Sequence, residues 1–162
     1  MAIAFSQKEL ITVAMGIERN GAAFYDFMAA NAQGWEIRAV FRFLADMERG
    51  HLRLFKSLED ENSEQPSPER NTIEHASYLR ALIDNTVFTE DIVTTQRFNP
   101  ITGDEKALEI AIGAEKDSII FYQDMRDSMS DKARVTIEKI ISEEKLHLKQ
   151  LSDLKKDLLH KS

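Results

Sequence analysis

The chain has 162 residues, a formal net charge of -7 at neutral pH and no cysteine. This length suits one ordinary domain, and the lack of thiols excludes disulfides, iron–sulfur ligation, thiolate zinc sites and cysteine nucleophiles. The acidic balance without a long Lys/Arg cluster argues against nucleic acid or an anionic membrane surface as a partner, while 6 Gly and 3 Pro favour an all-α protein.

The first part of the chain predicts two long helices. Ser6 and Glu9 have the spacing of a capping box, so a first helix should begin there. Apolar residues then recur at helical spacing until Gly34, which suits the end of a helix. A second helix is predicted over roughly residues 35–60, before a Pro-Ser-Pro sequence that would stop it.

Residues 61–103 are the least regular part of the chain. A connection of this length without structure of its own is uncommon in a compact domain. Apolar residues at helical spacing predict a short helix inside it, formed around Ile73, Ala76, Leu79, Leu82 and Ile83. We therefore interpret residues 61–103 as a structured crossover within a single domain that covers residues 1–162.

The last part of the chain predicts two more helices. The sequence from Thr102 to Glu105 is a second capping box, from which a third helix should start. A fourth helix is predicted from about Ser130 or Asp131 to about Leu159. The predicted fold is an all-α four-helix bundle.

The two halves also resemble each other in sequence. The segment AMGIE at 14–18, followed by Phe24-Tyr25, recurs as AIGAE at 111–115, followed by Phe121-Tyr122, at a constant offset of 97 residues. The Glu-x-x-His pattern at 48–51 recurs at 144–147, at an offset of 96. The sequence therefore predicts two related helical hairpins.

Four glutamates and two histidines of this duplicated pattern are the candidate metal ligands. They are Glu18, Glu48, His51, Glu115, Glu144 and His147. Positions three apart share one face of a helix, so each Glu-x-x-His can present a carboxylate and an imidazole to the same ion. One such pair alone is usually a solvated surface pair. The prediction therefore depends on finding two such pairs, each matched to a Glu on the partner helix of its hairpin.

The spacing of the glutamates brings the candidate ligands to one level of the bundle. Glu18 precedes the predicted turn at Gly34 by nearly as many positions as Glu48 follows it. In the second hairpin, Glu115 and Glu144 are likewise almost equally far along the chain from the predicted turn at Ser130. Since a helix rises about 1.5 Å per residue, the two ligands of each antiparallel hairpin should lie side by side.

The ligand types indicate which metal such a site would hold. Carboxylates with imidazoles favour a transition metal over Mg or Ca. Di-iron and di-manganese bundles use one Glu from each of two helices and one Glu-x-x-His from each of the other two. We expect two iron ions, with manganese or zinc as possible substitutes. His75 and His160 are interpreted as surface or packing residues, and Glu143, about 100° around the helix from Glu144, as facing solvent.

Two tyrosines accompany the candidate ligands. Tyr25 and Tyr122 lie seven residues after Glu18 and Glu115, two turns along the same helical stripe. They could hydrogen-bond to ligands or relay electrons near the site, and plain core packing is the alternative.

With these motifs the chain resembles the rubrerythrin-like branch of the ferritin-like di-iron superfamily, over nearly its whole length except the crossover. The resemblance implies a ferritin-like bundle in which the six candidate residues bind iron and Glu48 and Glu144 are the bridging, catalytic carboxylates. Rubrerythrins usually also carry a four-cysteine rubredoxin domain, a further Glu three residues after the ligand Glu of the third helix, and a Glu as the last ligand of the fourth helix. This chain has no cysteine, and those two places hold Ser118 and His147, a more symmetric set that is similar to the sites of ferritins and bacterioferritins.

Three functions are compatible with this site. An oxidoreductase of peroxidase or ferroxidase type would react Fe(II) with peroxide or O2 in detoxification, with electrons from a separate donor protein. A ferritin-like protein would use the same oxidation to sequester iron. A structural or regulatory bundle would use the metal for stability alone or bind none.

The sequence also leads to expectations about where the protein is located and how it assembles. The N-terminus has neither a basic segment nor an apolar run of signal-peptide length, and no stretch approaches the roughly 18 apolar residues of a membrane span. We therefore expect a cytoplasmic protein, and a homodimer as the simplest assembly for such a bundle.

Overall fold

The computed structural model describes residues 5–61, 77, 81 and 103–161, and the long described segments form four α-helices. These are α1 (Gln7–Asn31), α2 (Trp35–Glu61), α3 (Gly103–Asp127) and α4 (Asp131–Lys161). The predicted all-α four-helix architecture is confirmed, with helix ends close to those expected. The predicted crossover helix lies outside the described residues, apart from Ser77 and Ala81, which are helical.

Side-chain caps begin two of the helices. At the start of α1 the backbone N–H of Glu9 donates to Ser6 Oγ at 3.3 Å, and Ser6 N–H donates to Glu9 Oε2 at 2.7 Å. The capping box predicted there is confirmed. At the start of α4, Ser130 Oγ accepts a bond from Ala133 N–H at 3.4 Å, while the box predicted at Thr102 includes a residue outside those described.

Gly34 does not end α1 as the sequence suggested. The C-cap of α1 is Ala32, and Gly103 is the one described glycine with a positive φ. Gly34 instead precedes α2, and its N–H donates to Asp104 Oδ2 at the start of α3 at 2.8 Å. A Cβ at Gly34 would lie 3.2 Å from that oxygen, so the glycine allows α3 to approach the α1–α2 turn closely.

Neighbouring helices run antiparallel. Lys132 at the start of α4 pairs with Glu61 at the end of α2 at 2.8 Å, and Lys161 at the end of α4 lies 3.3 Å from Glu36 at the start of α2. Since Asp104 places the start of α3 beside the α1–α2 turn, α2 ends and α3 begins at opposite ends of the bundle. The connection between residues 61 and 103 therefore joins opposite ends.

Each helix buries one face in a common core. Fully buried apolar side chains include Ile11, Phe24 and Met28 of α1, Phe41, Leu44 and Phe55 of α2, Leu108 and Ala111 of α3, and Ile137, Ile140 and Leu151 of α4. Burial of each large apolar side chain stabilises the fold by roughly 1.5–3 kcal/mol. Within the described residues, no helix is long and apolar enough to cross a membrane.

Candidate metal centre

The six predicted ligand residues meet inside this apolar core, and no more than 3% of any of them is exposed. Their oxygen and nitrogen atoms form two overlapping groups, with the atoms of each group within 4.8 Å of one another. One group is Glu18, Glu48, His51 and Glu144, and the other is Glu48, Glu115, Glu144 and His147. Glu48 and Glu144 belong to both groups, which is the position required of carboxylates that bridge two ions.

Both imidazoles turn the same nitrogen toward the carboxylates. Nδ1 of His51 lies 3.1 Å from Glu144 Oε1 and 3.4 Å from Glu18 Oε2. Nδ1 of His147 lies 2.9 Å from Glu144 Oε2 and 3.9 Å from Glu115 Oε2. The two rings lie nearly parallel, with centroids 5.8 Å apart. Each Glu-x-x-His pair therefore directs one oxygen and one nitrogen to the same space.

Two buried atoms in this cluster, Glu18 Oε2 and His51 Nδ1, make ionic contacts but no well-aligned hydrogen bond among the described residues. They lie 3.4 Å apart, and leaving a buried polar atom unpaired costs about 1–3 kcal/mol. A cation between them would satisfy both atoms. The oxygen and imidazole donors suit iron, and the cluster therefore fits the metal that the sequence motifs predict.

Burial and crowding change the protonation of two of the four carboxyl groups when no metal is bound. Burial raises the pKa of Glu48 well above its usual range, and the neighbouring Glu144 and Glu18 raise it further. Burial and Glu144 likewise raise the pKa of Glu115 well above its usual range. The metal-free core thus favours protonated forms of these two carboxyl groups, and metal binding would have to displace those protons.

Glu144 and His51 form the opposite kind of pair. Burial would raise the pKa of Glu144, but its contacts with His147 and His51 outweigh this and lower the pKa below its usual range. Burial would lower the pKa of His51, but Glu144 and Glu18 raise it to about 11. In the metal-free protein His51 is therefore protonated, and its positive charge offsets part of the negative charge that a metal ion would otherwise balance.

The two tyrosines connect the hairpins at the level of the cluster. Tyr25 OH of α1 donates a hydrogen bond to Glu115 Oε1 of α3, and Tyr122 OH of α3 donates to Glu18 Oε1 of α1. Each therefore contacts the Glu of the opposite hairpin rather than the Glu seven residues earlier on its own helix. Burial raises the pKa of both hydroxyls well above the usual range, which keeps them as proton donors.

Aromatic neighbours fix the tyrosine rings in equivalent ways. The ring of Tyr25 packs edge-on against Phe24 at 5.1 Å and stacks on Phe41 at 5.9 Å. The ring of Tyr122 packs edge-on against Phe121 at 5.6 Å and lies tilted against Phe55 at 5.4 Å. The repeated Phe-Tyr sequence therefore produces the same edge-on contact in both halves, whereas the second aromatic neighbour of each tyrosine comes from α2.

Glu143 is not simply a solvent-facing residue, and here the sequence interpretation was wrong. Its side chain is 26% exposed, and Oε2 lies 2.9 Å from His51 Nε2. The rotation that takes Glu143 away from Glu144 on α4 turns it toward α2, which the helical spacing of α4 alone does not show. Of the remaining histidines, His160 is exposed and His75 lies outside the described residues.

A bundle of four helices around a buried set of four carboxylates and two imidazoles defines a ferritin-like protein of the di-iron carboxylate class. The model of the rubrerythrin family matches residues 9–155, and the chain belongs to the rubrerythrin family.

A solved structure supports the same fold. A Thermotoga maritima protein, provisionally described as a ferritin-like diiron-carboxylate protein, has a TM-score of 0.67 and 28% sequence identity to this chain. The similarity covers 94% of this chain and 95% of that one. No curated protein matches the sequence.

Proposed function

We propose that the protein binds two iron ions in this centre and is an oxidoreductase that reacts Fe(II) with peroxide or O2. The observation that supports this most directly is that Glu48 and Glu144 belong to both ligand groups. Two divalent ions a few Å apart repel each other strongly, and shared carboxylates reduce this repulsion. When bound, the iron pair would supply the electrons that reduce the oxidant.

The residues of the chain have distinct parts in this proposal. Glu18 and His51 would complete one metal site, and Glu115 and His147 the other, with Glu48 and Glu144 shared. Tyr25 and Tyr122 would orient the carboxylates of Glu115 and Glu18 through their hydrogen bonds, and a role in electron transfer is part of the same proposal. The surrounding apolar core would keep bulk water away from the site.

Catalytic turnover would need a reductant from another protein. The chain contains no cysteine and so cannot hold the thiolate-ligated iron that delivers electrons in rubrerythrins with a rubredoxin domain. We therefore propose peroxide or O2 as the substrate and a separate electron-donor protein as the partner. A homodimer is the assembly we propose for the working protein.

The second candidate function is iron oxidation linked to sequestration. It is favoured by the symmetric ligand set, which lacks two glutamates that are usual in rubrerythrins. His147 of α4 stands in place of the last ligand glutamate, and the buried Ser118 of α3 stands in place of the further glutamate. Such a protein would assemble into a large shell. Light scattering on the purified protein separates the two functions, because a dimer has no storage cavity.

The proposed chemistry can be tested on anaerobically purified protein. Metal analysis should give about two ions per chain, as expected of this ligand arrangement. Stopped-flow mixing of the Fe(II) form with peroxide and with O2 should show rapid oxidation that is lost in Glu48→Ala and Glu144→Ala. Glu138→Ala, at an exposed position of α4, serves as the control. Wild-type rates in both bridging variants would refute the site.

A further inference from the structure

The imidazole of His51 lies between the carboxylates of two adjacent residues of α4, one buried in the cluster and one at its edge. Its Nδ1 faces the buried cluster, 3.1 Å from Glu144 Oε1, whereas its Nε2 lies 2.9 Å from Glu143 Oε2. The second carboxylate oxygen of Glu143 lies 3.9 Å from the Lys139 ammonium, which is largely exposed. A continuous set of polar contacts thus connects the surface of α4 to this metal ligand.

His147 has no equivalent contact in the part of the chain that the structure describes. The duplication offset of 96 residues places Met47 at the position that corresponds to Glu143, and a thioether is at most a weak acceptor. Among the described residues, the ion pairs and hydrogen bonds of His147 all involve Nδ1, and its ring neighbours are His51, nearly parallel at 5.8 Å, and Phe43, edge-on at 6.4 Å. The two halves of the centre therefore differ in the partner of the imidazole nitrogen that points away from the cluster.

This difference has a chemical consequence for metal binding. A proton on His51 Nε2 that is donated to Glu143 leaves the Nδ1 lone pair directed at the cluster, and the negative partner increases the basicity of that lone pair. Loss of such an outer partner typically costs about 10–100-fold in metal affinity. We propose that Glu143 is a positioning residue that makes the two metal sites unequal, so that the Glu18–His51 site binds its ion more tightly and fills first.

This inference rests on the proposed metal centre and adds the order in which its two sites bind their ions. The test is an anaerobic titration of the metal-free protein with Co(II), read from its visible absorption in competition with a chelator. The wild-type protein should take up two ions in two separate steps, and Glu143→Leu should weaken the first step by about 10–100-fold. Glu143→Gln should weaken it less, since the amide oxygen still accepts the bond.

Two further variants make the test specific. Met47→Glu offers His147 the partner that it lacks and should tighten the second step. Glu138→Gln removes the same charge from an exposed position of α4 and should change neither step. Because Glu143 is at the edge of the core, its variants should fold, and far-UV circular dichroism checks this.

A spectroscopic measurement separates positioning from a general structural effect. In the Co(II) protein, the ring N–H of each bound histidine gives a strongly shifted proton NMR signal. The signal of His51 should exchange slowly with solvent because Glu143 accepts its proton, and Glu143→Leu should accelerate that exchange. A wild-type protein that takes up no Co(II) would refute the metal centre itself. Uptake of two ions, with binding constants and exchange in Glu143→Leu equal to those of Glu138→Gln, would overturn this inference alone.

Discussion

The hydroxyl of Tyr25 on α1 donates a hydrogen bond to the carboxylate of Glu115 on α3, across the boundary between the two hairpins. Tyr122 makes the reciprocal bond to Glu18. Because both acceptors belong to the candidate metal centre, the same contacts join the hairpins and orient two of the ligands. The centre is thus part of the hydrophobic core and not an addition to its surface.

Replacing either tyrosine by phenylalanine should destabilise the metal-free protein. Tyr25→Phe leaves a buried carboxyl group of Glu115 without its donor, which costs about 1–3 kcal/mol, and Tyr122→Phe should have a similar effect through Glu18. Urea unfolding in the presence of a chelator measures both. An unchanged free energy of unfolding in both variants would show that these bonds do not stabilise the fold.

Glu48→Gln should stabilise the metal-free protein and abolish tight metal binding. The folded pKa of Glu48 is raised, so its contribution to stability is complete below the unfolded value of about 4.3 and is lost as pH rises through the folded value. A neutral amide avoids this loss at neutral pH but is a poor bridging ligand. Urea unfolding at neutral pH, with Glu138→Gln as control, checks the sign. A less stable metal-free Glu48→Gln would contradict it.

Metal uptake at neutral pH should release protons. His51, whose pKa is about 11 without metal, and Glu48, whose pKa is raised, must both lose protons to act as ligands. The stability that charged His51 contributes is complete below its unfolded pKa of about 6.5 and is lost as pH rises through the folded value. Metal affinity should therefore fall as pH is lowered.

Calorimetric titration in two buffers with different heats of protonation measures this proton release. The observed heats should differ between the buffers, and the difference should be smaller in Glu48→Gln. Equal heats in both buffers would mean that the ligands are already deprotonated in the metal-free protein.

A transition-metal ion should raise the melting temperature of the metal-free protein. Binding at about 100 times the dissociation constant adds about 2.7 kcal/mol per ion, which corresponds to roughly 5–10 °C for a domain of this size. Mg(II) at the same concentration should have little effect, since the imidazoles disfavour it. Differential scanning calorimetry checks both, and unchanged melting with Co(II) or Fe(II) would support a bundle that needs no metal.

Much of the site could be predicted from the sequence because its geometry is local to each helix. The three-residue spacing of Glu48 and His51 places both on one face, and the distances from Glu18 and Glu48 to the turn determine that they lie level. The duplication then extends the same reasoning to the second hairpin. The helix ends follow from caps and apolar spacing, such as the capping box of Ser6.

The contacts between hairpins needed the tertiary structure. The bonds of Tyr25 to Glu115 and of Glu143 to His51 join residues that are 90 and 92 positions apart. Which side chain of one hairpin meets which of the other depends on how the helices rotate and pack together, and side chains distant in sequence set that packing. The sequence alone therefore determined four helices and a shared level of candidate ligands, whereas the packing decided the tyrosine partners and the outer contact of His51.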